Sequence, residues 1–222
     1  MNDVIKITDK KILREVKRRN ALFKKASLAE KRVLIAKDVL EQLRKGKINP
    51  SRGVFVNSHL FNEDILNQNK DKSLQHALLE KNANCECCAQ GALFLSCTLY
   101  NNKVQLSDFS YDDDGKYISN SIGHAIYRNF KIANGLNRIF TRRQLVLIEI
   151  AFERGAGYFD WDRSSQLKIP VTLVEKAIEF CNKYYIRENH RVSDGFQADK
   201  NRKDAMVAIM KNIIKNNGTF IP

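Results

Sequence analysis

Three segments of the chain carry a pattern that marks where a helix begins. Each has Ser or Thr followed three residues later by Glu or Gln, the spacing of a capping box, and each leads into apolar residues at helical spacing. The three pairs are Ser27 with Glu30, Thr141 with Gln144, and Thr172 with Glu175. Only three prolines and ten glycines interrupt the 222 residues, fewer than a many-turned β fold requires. The sequence therefore predicts a mainly α-helical protein.

Apolar spacing and turn residues extend this prediction along the chain. Besides the helices after Thr141 and Thr172, we expect helices from Thr8 or Asp9 to Lys25, from Ser27 to Gly46, after Ser73, between Cys85 and Tyr100, and from about Asp199 to Gly218. Residues 54–56 and 104–106 are the two strand candidates. The expected fold is thus about six or seven helices with at most a small two-stranded element.

The charge is concentrated at the start of the chain. Residues 1–52 hold sixteen Lys and Arg against six Asp and Glu, a net charge of +10, whereas residues 53–222 carry only +3 of the total of +13. The short connection between the first two helices predicts an antiparallel hairpin. We therefore expect a basic helical hairpin over residues 1–52, forming one compact unit with a mainly helical body over residues 53–222. A basic segment on a nearly neutral body indicates a polyanionic partner.

The first predicted helix is the candidate binding element. Its basic residues surround a thin apolar line of Ile12, Val16 and Phe23. The candidate nucleic-acid-binding residues are Lys10, Lys11, Arg14, Lys17, Arg18, Arg19, Lys24 and Lys25. Such side chains contact phosphates with salt-dependent affinity and without sequence preference. A merely solvated helix is the alternative, but the charge exceeds what solubility needs. Aromatic residues are not interleaved with these charges, so base stacking is not indicated.

The cysteines form the second candidate cluster. Cys85 and Cys88 have the C-x-x-C spacing of zinc and redox sites, and Cys97 lies nearby. A structural zinc site needs four ligands, but a second pair is missing and the four histidines are scattered. An odd total of five cysteines also does not suggest a secreted disulfide framework. We therefore treat Cys85, Cys88 and Cys97 as weak metal candidates, favour buried reduced thiols, and expect no cofactor.

Four carboxylates offer an enzymatic alternative. Glu149 and Glu153 lie one helical turn apart, and Asp160 and Asp162 follow closely. Converging in a cleft, they would suit a metal-dependent nuclease or other hydrolase, although solvated helix charges are the commoner explanation. The phosphate-binding loop, the dinucleotide fingerprint and the common metalloprotease and serine-hydrolase motifs are all absent from the sequence. The sequence thus favours a protein that is not an enzyme.

Three further segments carry a resemblance to a known group. They read Cys85-x-x-Cys88-Ala89-x-Gly91-Ala92-Leu93, Leu145-x-x-Ile148-Glu149-x-Ala151-Phe152-Glu153, and Ile209-Met210-x-Asn212-Ile213-Ile214-x-Asn216-x-Gly218-Thr219-Phe220. Together they resemble an uncharacterised group of hypothetical proteins from bacteriophages and Bacteroidetes-type genomes. The resemblance implies a phage or mobile-element origin and transfers no site. By analogy, a small basic phage product without enzyme motifs looks like an antagonist of host defence, anti-CRISPR inhibitors included.

These observations combine into one leading expectation. We expect a non-enzymatic protein that binds RNA, DNA or a ribonucleoprotein through residues 1–52, and a phage inhibitor of a host RNA-guided nuclease is one concrete version. The alternatives are the carboxylate-dependent hydrolase and a structural or assembly protein whose basic hairpin docks an acidic partner. No apolar run approaches the roughly 18 residues of a membrane span and no signal-peptide core is present, so we expect no membrane partner. The expected location is the cytoplasm, which is the host's if the protein is phage-encoded.

Overall fold

The protein folds into a mainly helical structure with one short three-stranded sheet. A computed structural model describes residues 10–58, 60, 73–80, 83–100, 135–153, 167–185 and 195–222. The elements in chain order are α1 (Lys10–Lys25), α2 (Leu28–Arg44), β1 (Ile48–Pro50), β2 (Val56–Ser58), α3 (Leu74–Leu79), β3 (Cys85–Cys87), α4 (Ala89–Tyr100), α5 (Arg142–Glu153), α6 (Val171–Tyr185) and α7 (Gly195–Lys215). This confirms the predicted mainly α class, with three strands where at most two were expected. Among the described helices, each is too short or too polar to cross a membrane.

The predicted boundaries of α2 are confirmed at both ends. The Ser27 hydroxyl accepts a hydrogen bond from the Glu30 amide (3.3 Å), and the Glu30 carboxylate accepts one from the Ser27 amide (2.7 Å). This reciprocal pair satisfies amides that have no partner within the helix. At the other end Gly46 adopts φ +68°, and the Lys47 amide donates to the Gln42 carbonyl (2.9 Å). Because glycine enters the left-handed region without steric cost, the helix stops there.

Half of the capping box predicted at Thr141 is present. The Thr141 hydroxyl accepts a hydrogen bond from the Gln144 amide (3.2 Å) at the start of α5. The Gln144 side chain, however, does not complete the box: its amide donates to the Phe220 carbonyl (3.2 Å) and its oxygen accepts from the Phe220 amide (2.6 Å). A residue that the sequence assigns to a local cap therefore attaches the segment after α7 to α5.

The capping box predicted at Thr172 is wrong. Helix α6 begins at Val171, so Thr172 lies inside its first turn. The first helical carbonyl is that of Pro170, which accepts hydrogen bonds from the amides of Leu173 (2.9 Å) and Val174 (3.2 Å). Proline fixes φ at about −65° and suits a helix entry, so Pro170 sets the start of α6 in place of the threonine.

The sheet has the strand order β1-β3-β2, with β3 in the centre. It pairs parallel with β1 and antiparallel with β2. The prediction of a helix beginning at Cys85 is therefore wrong for its first residues. Cys85 and Cys87 are buried and Glu86 is exposed, which is the two-residue alternation of a strand. The strand predicted at residues 54–56 is found at Val56–Ser58, and the candidate at residues 104–106 lies outside the described residues.

Helix α4 is the centre of the fold, as its apolar sequence predicts. Every residue from Ala89 to Tyr100 is buried, and α1, α2, α3 and α5 all pack against it. One residue requires close approach of two backbones: a Cβ atom on Gly91 would lie only 1.6 Å from the Phe55 carbonyl oxygen. The missing side chain of Gly91 thus lets the first turn of α4 rest directly on the segment that leads into β2.

The first two helices have different main packing partners. Helix α1 packs on α3 and α4, whereas α2 packs on α4 and α7. Their apolar residues belong to one continuous core that extends from Phe23 to Phe220. The two helices are linked through α4 and through an ion pair between Arg19 and Asp38. The antiparallel hairpin that the short connection predicts stays a prediction, and the contacts of α1 show that it also packs on the common core.

Helix α7 is confirmed as the last helix, and it begins at Gly195, four residues before the predicted Asp199. Asn217 and Gly218 both have positive φ, and the Gly218 amide donates to the Ile213 carbonyl (2.8 Å), which ends the helix in a Schellman motif. Gly218 also lies against α2, since a Cβ atom there would come within 2.7 Å of the Ala29 carbonyl oxygen. The end of α7 is thereby fixed to the start of α2.

Candidate nucleic-acid interface

Helix α1 has one buried face, and two aromatic rings anchor it. Val16 and Phe23 are buried, and the Phe23 ring stacks on Tyr100 of α4 with 5.6 Å between the ring centroids. The guanidinium of Arg19 lies 5.0 Å from the centroid of the same Tyr100 ring. Such stacked and cation–π contacts add to the burial of apolar area. The helix is therefore held on α4 in a defined orientation.

The opposite face of α1 is basic and exposed. With about 100° between successive residues, the positions away from Val16 and Phe23 fall on one side of the helix. Leu13 (44% exposed) and Leu22 (42% exposed) lie at the two edges of that side. The exposed basic side chains of this outer face are Lys10, Lys11, Arg14, Lys17, Arg18, Lys24 and Lys25. Seven of the eight residues predicted from the sequence thus share the exposure that phosphate contact requires.

Arg19 is the exception among the eight. Its side chain is only 8% exposed, and its guanidinium donates to Asp38 of α2 (2.7 Å) and to Glu15 (2.7 Å). Burial disfavours the charged guanidinium, but Asp38 and Glu15 outweigh it and raise the pKa of Arg19. Asp38, with a side chain 2% exposed, also accepts from the Gln42 amide (3.2 Å). Arg19 is therefore a structural residue that joins α1 to α2.

Glu15, the one acidic residue of α1, binds two of its arginines. Its carboxylate accepts two hydrogen bonds from Arg18 (2.8 and 2.7 Å) and one from Arg19. The hydrogen bonds from Arg18 are the largest influence on Glu15 and lower its pKa to about 2. Arg19 also pairs with Asp38, so Glu15 and Asp38 together bind Arg18 and Arg19. Among the described residues, Lys10, Arg14, Lys17, Lys24 and Lys25 have no carboxylate partner.

The spacing of Arg19 in the sequence indicates its structural role, although a count of charges alone groups it with the exposed basic residues. Arg19 lies three residues after Val16 and four before Phe23, so helical spacing places it on the buried line. Glu15 lies three and four residues before Arg18 and Arg19, which are the spacings of ion pairs within a helix. The pairing of Arg19 with Asp38, by contrast, joins two helices, so the spacing of residues within α1 does not indicate it.

The cysteine cluster is part of the core. Cys85, Cys88 and Cys97 are all buried, as the preferred reading of these thiols predicts. Burial raises the pKa of Cys85 to about 11 and the pKa values of Cys88 and Cys97 to about 12, so the thiol form prevails at neutral pH. Within the described residues, no three His, Cys, Asp or Glu side chains are grouped closely enough to hold a metal ion.

Two of the four candidate carboxylates are described, and both bind protein donors. Glu149 accepts from the Gln90 amide (2.8 Å), and Glu153 accepts from the Gly53 backbone amide (3.0 Å) with Arg52 3.7 Å away. Burial raises the pKa of Glu153 to about 7 against the opposing effect of the Gly53 hydrogen bond. Asp160 and Asp162 lie outside the described residues. Whether the four carboxylates converge, as the hydrolase alternative requires, is therefore not tested by the described residues.

No family model, curated protein or solved structure matches the chain.

Proposed function

We propose that the protein binds nucleic acid through the outer face of α1, and that it does so without catalysing a reaction. The observation that carries the proposal is the group of five exposed cations, Lys10, Arg14, Lys17, Lys24 and Lys25, that lack a carboxylate partner among the described residues. They lie on one side of a single helix, so one ligand can contact them together. Phosphates are the natural counterpart, since each phosphate contact releases condensed counterions.

The anchoring of α1 makes this surface ready for binding. The Phe23–Tyr100 stack and the Arg19–Asp38 ion pair hold the helix on α2 and α4 before any ligand arrives. A helix that is already formed does not lose backbone freedom on binding, and a smaller ordering cost leaves more free energy for affinity. The buried charges of Arg19 and Asp38 support the exposed charges in this way, although they do not themselves contact the ligand.

The distribution of charge favours binding of a polyanion, and not solubility alone, as the explanation for the basic outer face of α1. Residues 1–52 hold +10 of the total charge of +13, and the other 170 residues carry a net charge of only +3. A net charge of about 2–8 is enough for a small domain. Inhibition of a host RNA-guided nuclease by a phage-encoded protein is one concrete form of this function, and that form rests on the sequence resemblance and analogy.

The test removes charge from α1 and, in a matched control, from another helix. In the first variant four exposed cations are replaced by glutamine: Arg14, Lys17, Lys24 and Lys25. In the control the same number of exposed cations is removed from α6 and α7: Lys176, Lys203, Lys211 and Lys215. Both variants lose four charges, so a difference between them reports location and not net charge. Binding to labelled DNA and RNA is measured by fluorescence anisotropy from about 50 to 300 mM salt.

We expect wild type to bind with an affinity that falls log-linearly with salt. Each phosphate contact contributes about 0.9 to that slope on B-DNA, so the α1 variant should lose up to about 3.6 slope units. The control should keep most of the wild-type slope. Undetectable binding of wild type at about 50 mM salt would contradict the proposal, and so would equal losses in the two variants. An acidic protein surface would then be the better candidate partner for α1.

A further inference from the structure

The basic residues of α1 fall into two rows that repeat every seven residues. One row is Lys10, Lys17 and Lys24, and the other is their sequence neighbours Lys11, Arg18 and Lys25. Seven residues are nearly two turns, so members of one row lie about 10.5 Å apart along the axis and each row extends about 21 Å. Successive residues differ by about 100°, which places the two rows on the two sides of the outer face.

Between the two rows lie Arg14 and Ala21, again seven residues apart. Ala21 is exposed and has only a methyl side chain, so the middle of the outer face is low at this point while its two sides carry long cationic chains. Leu13 and Leu22 bound the face on either side. The surface therefore offers two parallel lines of positive charge with the helix backbone between them.

Resting on the proposed function, we propose that the ligand is double-stranded DNA and that the outer face of α1 lies along its major groove. A helix with its side chains is about 10–12 Å in diameter, and the major groove of B-DNA is about 12 Å wide. A helix in that groove has a phosphate backbone on each side, which matches one cationic row to each strand. Arg14 and Ala21 both face the floor of the groove, where the methyl group of Ala21 permits close approach and the flexible Arg14 side chain can reach base edges.

Other nucleic acids fit this arrangement less well. A single strand has one line of phosphates, so it engages one row at a time, and the outer face has no exposed aromatic ring on which its bases could stack. The major groove of A-form RNA is deep and too narrow for side chains to read. Two rows separated by the width of a helix are therefore matched best by B-form DNA.

Arg18 remains usable in its row despite its hydrogen bonds to Glu15. Arginine has five N–H donors, and two of the Arg18 nitrogens bond to Glu15 while the side chain stays 62% exposed. A phosphate can take the remaining donors without breaking the pair. The opposite row does not share this complication, because Lys10, Lys17 and Lys24 have no carboxylate partner among the described residues. That row is therefore the one to perturb.

The experiment compares three ligands of the same sequence and length: a DNA duplex of about two helical turns, the single DNA strand, and the RNA duplex. Wild type is compared with a variant in which Lys10, Lys17 and Lys24 are replaced by glutamine, and circular dichroism checks that the variant keeps its helices. Near 0.1 M salt each duplex contact is worth about eightfold in affinity by counterion release, so the variant should lose up to about 500-fold on duplex DNA. On single-stranded DNA the loss should be much smaller, because the other row can replace the missing one.

The outcomes separate this inference from the proposed function. Tighter binding of duplex DNA than of the other two ligands, with the larger loss on the duplex, supports the inference. Equal binding of single and double strands, or parallel losses on both, overturns the two-row model and leaves phosphate binding by α1 intact. RNA duplex binding as tight as DNA duplex binding overturns docking in the major groove. If wild type binds none of the three ligands at about 50 mM salt, both the inference and the proposed function fail.

Discussion

Replacing Arg19 by glutamine separates the residues that hold α1 from those that we propose to bind. Arg19 and Asp38 are almost completely buried, at 8% and 2% side-chain exposure, and their charged atoms are 2.7 Å apart. Without the guanidinium, the Asp38 carboxylate stays buried with the Gln42 amide as its described hydrogen-bond partner. Removing one partner of a buried pair costs about 3–5 kcal/mol, because the other charge is left uncompensated.

This free energy corresponds to a readily measured change in thermal stability. For a protein of 222 residues, each 1 kcal/mol shifts Tm by about 2–4 °C, so Arg19→Gln should lower Tm by about 6–20 °C. The matched control is Lys17→Gln, two residues earlier on the exposed face, which should change stability by less than about 0.5 kcal/mol. Urea unfolding followed by circular dichroism gives both values. A double variant, Arg19→Met with Asp38→Leu, should recover most of the loss, since both charges of this buried pair are removed.

Binding measured on the same two variants should give the reverse order. At a temperature where both are folded, the Phe23–Tyr100 stack still holds α1, so Arg19→Gln should bind DNA nearly as tightly as wild type. Lys17→Gln should bind about eightfold more weakly near 0.1 M salt. If Arg19→Gln weakens DNA binding while its stability is unchanged, the structural role of Arg19 is refuted. Arg19 would then contact the ligand instead of pairing with Asp38. A stable Arg19→Gln variant with normal binding would equally refute the assigned energy of the buried pair.

Three further predictions concern the core. Gly91→Ala should destabilise by about 3 kcal/mol in urea unfolding, because the new methyl group meets the Phe55 carbonyl. Gly135→Ala, where the described residues leave open space, should have little effect. Burial raises the pKa of Glu153 from 4.5 to about 7, so the folded state is favoured when this carboxyl is protonated. The free energy of unfolding should therefore fall by roughly 2–3 kcal/mol as pH rises from 4.5 to 7. Glu153→Gln should abolish this dependence. The buried thiols should react with a thiol reagent only after denaturation, and elemental analysis should find no stoichiometric zinc; about one zinc per chain would contradict this.

The sequence predicts well those features that local chemistry determines. The Ser27–Glu30 cap, the stop at Gly46 and the end of α7 near Gly218 each depend on residues within one or two turns of helix. The exposure of most basic residues of α1 follows in the same way from helical spacing around Val16 and Phe23. In each case the pattern and the structure involve the same few neighbouring residues.

The features that the sequence does not give depend on distant partners. Cys85 begins the central strand β3 because β1 and β2 pair with that strand on its two sides. The residues next to Cys85 in the sequence do not indicate this pairing. The Gln144 side chain bonds to the backbone of Phe220, 76 positions away in the chain, instead of completing the local cap. Arg19 is removed from the binding surface by Asp38 of another helix. Each of these features depends on which elements meet in space.

The contact between Gly218 and the start of α2 has a consequence for synthesis of the protein in the cell. Helix α2 packs along α7, and Gly218 lies against Ala29, so the two surfaces come from opposite ends of the described sequence. A ribosome that adds about 5–20 residues per second completes α2 roughly 10–40 s before it reaches Gly218. During that interval α2, whose residues Ile35 and Val39 are completely buried in the folded protein, lacks its packing partner α7. We therefore expect the nascent chain to expose apolar surface of α2 until α7 has been synthesised.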